Sequence, residues 1–132
     1  MLTRDEAIKT AMRKWMKEPF EWGKSDCMLS VADYLIDAVG ADCGGQFRGK
    51  YANRKECARL SGYMRDPVKP FAACVAEIPL QETTEPKKGD VGVIHMAGET
   101  VGAVCLGDKW AARADPGLFI STPTKILKAW AV

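Results

Sequence analysis

Histidine is nearly missing from this sequence: one residue, His95, in 132. A centre built from several histidines is therefore excluded. The five cysteines, at 27, 43, 57, 74 and 105, contain no pair at zinc-knuckle spacing, so no metal or other cofactor is expected. Long apolar runs are lacking too, which excludes a membrane-spanning helix. Neither sign of charge dominates: 19 basic against 17 acidic residues leave +2, too little for a nucleic-acid surface. The opening MLTRDEAIKT places charges where a signal peptide needs its apolar stretch, so no secretory leader is expected. Cysteines odd in number and widely spaced read as reduced thiols of a cytoplasmic protein, most of them buried for packing. No repeat, low-complexity tract or long linker interrupts residues 1–132, which are read as a single domain.

What the first half has is helical patterning. Thr3 to Glu6 form a capping box, and Ala7, Ile8, Ala11, Met12, Trp15 and Met16 give one apolar stripe to about Lys17. After the aromatic loop PFEWG, Ser25 or Asp26 caps a second helix. Met28, Val31, Ala32, Leu35, Ile36 and Val39 supply its buried face, and Gly40 stops it. Shorter helices are expected from about Asn53 to Leu60 and between Pro67 and Pro79. Gly44-Gly45 lacks the lysine-serine pair and the preceding strand of a phosphate loop. Beyond the polar connector LQETTEPKKG the texture changes to DVGVIHM, TVGAVCLG, KWAARA, GLFIST and ILKAWAV, short strands separated by turns. The fold class is therefore α+β: N-terminal helices, about 1–79, packed on a C-terminal antiparallel meander, about 89–132.

The chemistry concentrates at Cys27, which follows Asp26 at the start of the second helix. Unpaired N–H groups and the macrodipole at that terminus favour a thiolate. A nucleophilic thiol also needs a base, and His95 is the one candidate. If Ala97-Gly98 is a two-residue turn, Met96 faces Glu99 and His95 faces Thr100, with Cβ atoms about 4.5–5.5 Å apart. A three-residue loop would instead pair His95 with Val101. Plainer roles stand beside these. Cys27 is also a small residue suited to packing, Asp26 a cap, and His95 a surface group. Trp22 covers the core or forms a substrate platform, and Arg48 and Tyr51 line a groove or pin their loop.

The order of these features resembles the NlpC-type cell-wall cysteine peptidases, papain-like enzymes that cut peptidoglycan stem peptides. Asp26-Cys27 at a helix start matches that family's nucleophile, and Lys88-Gly89-Asp90 matches its turn into the sheet, with lysine where proline is usual. The chain is more similar still to a small phage- and prophage-encoded branch found among tail-assembly genes. That likeness rests on Pro19 to Cys27, Phe47 to Tyr51, Gly89 to Val91, Ala103 to Gly107, Gly117-Leu118 and Ala129-Trp130. It implies a thiol peptidase or amidase acting on peptidoglycan-like peptides, with Cys27 attacking, His95 as base and a helix-start N–H holding the oxyanion. Asp26, Trp22, Tyr51, Thr100 and Arg113 would support the groove. It also implies action in the bacterial cytoplasm during phage assembly, or in the virion tail. Two positions depart from the family. Thr100 stands where the catalytic histidine belongs, and Arg113 near the polar residue that orients it. The alternative is a catalytically inactive fold of the same type, a pseudoenzyme partnering other tail proteins.

Overall fold

The computed structural model describes residues 1–132. Helix α1 spans Arg4–Lys17, and its capping box is complete: Glu6 N–H donates to Thr3 Oγ1, and Thr3 N–H donates to the Glu6 carboxylate. Acidic residues in its first turn and lysines in its last complement the macrodipole. It buries Ala7, Ile8, Ala11 and Trp15, whereas Met16 is 62% exposed. That corrects the expected stripe, because a residue adjacent to Trp15 lies about 100° around the helix from it.

Helix α2, Cys27–Val39, runs from the Asp26 cap to Gly40, whose φ of 76° suits a left-handed stop. It lies between α1 and the sheet, so its buried arc is broad and includes Leu29, Val31, Ala32, Tyr34, Leu35 and Ala38. Met28 and Val39 are half-buried and pack against this core, whereas Ile36 is exposed, against expectation. Helix α3 is Arg54–Ser61, capped by the Asn53 side chain. Helix α4, Val68–Val75, starts after Pro67 and stops well short of Pro79.

Six antiparallel strands follow: β1 Gln81–Glu82, β2 Val91–Met96, β3 Glu99–Cys105, β4 Trp110–Ala114, β5 Gly117–Ser121 and β6 Lys125–Ala131. Their spatial order is β1-β6-β2-β3-β4-β5. Strands β2 to β5 form the expected meander, but β6 returns to pair with β2 and carries β1 on its outer edge. Strand β1 lies inside the connector. Two residues are too few to leave a periodic signal.

The helices cover one face of the sheet, where Val91, Val93, Val104 and Trp130 pack with Trp15, Val31, Leu35 and Phe71. A smaller core on the opposite face joins Ile94, Met96, Cys105, Trp110, Ala112 and Ala129. Gly92 is required there, because a Cβ on it would lie 2.6 Å from the Lys128 carbonyl oxygen and 3.2 Å from the Trp110 ring. The strand start is clasped to the chain end: Asp90 accepts from Lys87 N–H at 2.8 Å and from Val132 N–H at 3.0 Å. No helix is long and apolar enough to cross a membrane.

The cysteines divide differently from expectation. Cys43, just beyond α2, and Cys74 in α4 form a disulfide, with Cα atoms 4.9 Å apart across 31 positions of sequence. Cys27, Cys57 and Cys105 are free. Their number and spacing alone suggested five reduced thiols, because spacing does not reveal which helices lie side by side.

Candidate functional site

The site is built on the start of α2. Asp26 is 1% exposed, and four donors converge on its carboxylate. Oδ1 accepts from Met28 N–H at 3.2 Å and Leu29 N–H at 3.0 Å. Oδ2 accepts from Gly23 N–H at 2.9 Å and from the Tyr51 hydroxyl at 2.6 Å. A buried carboxylate is tolerated when several N–H and O–H donors and a helix N-terminus face it. The same network explains Gly23. Its φ is 82°, and a Cβ there would fall 2.2 Å from the Tyr51 carbonyl oxygen. Asp26 and Tyr51 are thus structural supports, and both fix where α2 begins. Arg48 pairs with Asp33 and Asp42 at 2.8 and 3.0 Å, so it pins its loop.

Cys27, the first residue of α2, is half-buried and faces a cavity of about 590 Å³. Phe20 and Trp22 lie on one side of it, with their rings edge to face at 5.2 Å. Phe71 of α4 forms another wall. The sheet contributes Thr100 and Gly102 of β3 and residues 112–116 at the β4–β5 turn. At the mouth stand Arg54, which donates to the Tyr63 hydroxyl at 3.1 Å, and Glu99. Gly102 admits the Phe71 ring, since a Cβ there would lie 2.8 Å from it. Trp22 therefore belongs to the wall of the cavity. Sequence reasoning did not find Phe71, Arg54 or Gly102 as wall residues. They come from separate elements, and no local pattern marks them.

The electrostatics oppose a thiolate. Desolvation pushes the Cys27 thiol up from its ordinary 9.0 to about 12, with the neighbouring Asp26 charge and then Cys57 adding to the rise. The Gly102 and Met28 amides pull it back only in part. A helix terminus offers an anion about 0.3–1 kcal/mol at an exposed surface, and desolvation of the charged form works against it. Burial thus outweighs the helix terminus and favours the neutral thiol.

The β2–β3 hairpin has the two-residue turn. Met96 pairs with Glu99 and His95 with Thr100, and Ala97 takes a φ of 52° in the turn. His95 Nδ1 lies 2.9 Å from Thr100 Oγ1. Thr100 lines the cavity, and His95 is not among the lining residues. Arg113 is 2% exposed, and its two terminal nitrogens donate to the Trp15 and Glu18 carbonyls at the end of α1. That arrangement matches a cation to the negative end of a helix, but it spends the guanidinium on structure. Its Nε has no partner. No group of three or more His, Cys, Asp or Glu is placed to hold a metal ion.

The arrangement is therefore a thiol that burial holds toward its neutral form, in a largely apolar cavity that Thr100 lines and His95 does not. No curated protein and no solved structure matches the chain. Over residues 2–132 it matches the family described as Domain of unknown function (DUF6950), and it belongs to that family.

Proposed function

We propose that this domain is a catalytically silent, papain-like fold of NlpC type, encoded by a phage or prophage, that binds its ligand in the Cys27 cavity and serves as a component of tail assembly. One observation carries the reading: the cavity that contains Cys27 is lined by Thr100 and Arg113 and by no imidazole. Thiol acyl transfer needs a thiolate and an acid for the leaving amine. A thiol pushed up to about 12 provides the first only in trace amounts. Threonine is neither acid nor base near neutral pH, and arginine stays charged throughout. The α+β architecture, with a cysteine at a helix start facing a sheet, supports the papain-like assignment, as do the ordered motifs from Pro19 to Trp130. The partners on this reading are other tail proteins, and the Cys43–Cys74 disulfide favours the virion tail over the reducing cytoplasm as the place where they are held.

A second reading, a peptidase or amidase of stem peptides, is favoured by one observation. His95 is hydrogen-bonded to Thr100, so an imidazole lies one side chain away from the cavity. The two readings separate in a hydrolysis assay with purified stem tripeptide and tetrapeptide, followed by mass spectrometry. The silent fold releases no product above the buffer rate, and Cys27→Ala changes nothing. Product formation that disappears in both Cys27→Ala and His95→Ala overturns it.

A further inference from the structure

From a surface that gathers charge of one sign and leaves it unpaired, we infer that α3 and the loop after it dock an acidic segment of another protein, one that sets carboxylates around apolar side chains. Six of the 19 basic residues but only two of the 17 acidic ones fall within residues 50–69, so the rest of the chain is net negative. Lys50, Arg54, Lys55, Arg59, Arg65 and Lys69 are all exposed. None of them joins an ion pair; the ion pairs of the fold use Lys14, Arg48, Lys88 and Lys128. The two acids of the stretch are spent locally. Glu56 accepts from Ala52 N–H at 2.9 Å and from the Asn53 side-chain amide at 3.3 Å. Asp66 accepts from the Val68 and Lys69 N–H groups at 3.1 and 3.2 Å, where α4 begins. Arg54 donates to a neutral partner, the Tyr63 hydroxyl, and Glu99 at the same cavity mouth makes no ion pair with it. Lys55 and Arg59 lie one turn apart on α3, a spacing at which like charges repel. The fold therefore gains nothing from this charge.

Leu60 and Met64 interrupt the cations and are 51% and 63% exposed. Arginine and methionine are enriched at protein–protein interfaces. A single nucleic-acid strand calls for exposed aromatic platforms, and the aromatic of this stretch outside the core, Tyr63, is held by Arg54. A bilayer is addressed by a helix with an apolar face along its length, whereas α3 has 8 residues and one leucine. An acidic polypeptide matches both features. Its carboxylates meet the guanidinium and ammonium groups, and its apolar side chains cover Leu60 and Met64.

The inference goes beyond the silent-cavity reading and stands apart from it, since hydrolysis of stem peptides would leave this surface unchanged. The probe is a labelled, capped peptide of alternating glutamate and leucine pairs, titrated by fluorescence anisotropy against the full-length protein. Poly-L-glutamate, a DNA duplex and phosphatidylglycerol vesicles are run beside it. Arg59→Glu with Arg65→Glu should weaken peptide binding at least about tenfold. Arg13→Glu with Lys17→Glu, the same charge change on α1, should leave it within about twofold. Leu60→Ser with Met64→Ser should weaken the glutamate–leucine peptide about threefold or more and leave poly-L-glutamate unaffected. Raising the salt from about 50 to about 500 mM should weaken binding steeply. Arg59→Gln with Arg65→Gln gives a smaller loss in the same direction and decides the matter if the reversed variant fails to fold. Three results overturn the inference: no saturable binding of the peptide, an equal loss from the α1 reversals, or tighter binding of the duplex or the vesicles through Arg59 and Arg65.

Discussion

Asp26→Ala is expected to lower stability by about 3 kcal/mol, a fall in Tm of roughly 10 °C. An ordinary exposed cap contributes about 1 kcal/mol. Asp26 exceeds that because four donors converge on it in a buried setting, and all four lose their acceptor together. The Tyr51 hydroxyl and Gly23 N–H would be stranded away from water, which is the costly half of a lost hydrogen bond. Asp26→Asn keeps one oxygen for the two helix amides, and Tyr51 can accept from the new amide group. It should therefore cost about half as much. Thermal unfolding of the two variants measures this directly. A loss below about 1 kcal/mol for the alanine variant would mean that Asp26 is only a surface cap.

Removing the Cys43–Cys74 link has the second large effect. Closing a loop of 31 positions restricts the unfolded chain by roughly 3–4 kcal/mol in the loop-entropy treatment. Both cysteines are buried, at 1% and 4% exposure, so the paired change Cys43→Ala and Cys74→Ala also leaves a small packing defect. The expected result is a Tm lower by at least 10 °C, with the lower Tm also reached by the wild type after complete reduction. The effect should extend to the cavity, because α4 carries Phe71, which packs at Gly102 and stacks on Trp130 at 5.3 Å. Unchanged stability on reduction would show that the link contributes nothing to the fold.

Much of this architecture was legible in the sequence, for local reasons. The capping box fixed the start of α1, and Gly40 marked the end of α2. Ala97-Gly98 set the hairpin register that brings His95 opposite Thr100. Four features escaped because each depends on distant parts of the chain. Cys43 and Cys74 meet only once α4 lies beside the end of α2. The return of β6 to β2 follows from sheet assembly, and nothing in ILKAWAV dictates its neighbour. The burial of Cys27 escaped for a related reason. The helix dipole is visible in sequence, but the cavity walls around the thiol come from helices and strands far apart in the chain. Arg113 shows the same limit, since its carbonyl partners at Trp15 and Glu18 lie almost a hundred positions away.

The most direct test of the neutral thiol is the pH dependence of Cys27 alkylation by iodoacetamide, followed by peptide mapping so that Cys57 and Cys105 are scored separately. With the thiol pushed up to about 12, the expected rate at pH 7.5 is roughly one to two orders of magnitude below that of a free thiol. It should keep climbing through pH 10 without a plateau. A rate that levels off near or below pH 7, with Cys27 labelled ahead of a free thiol, would mean a thiolate is already in place and would contradict a silent site.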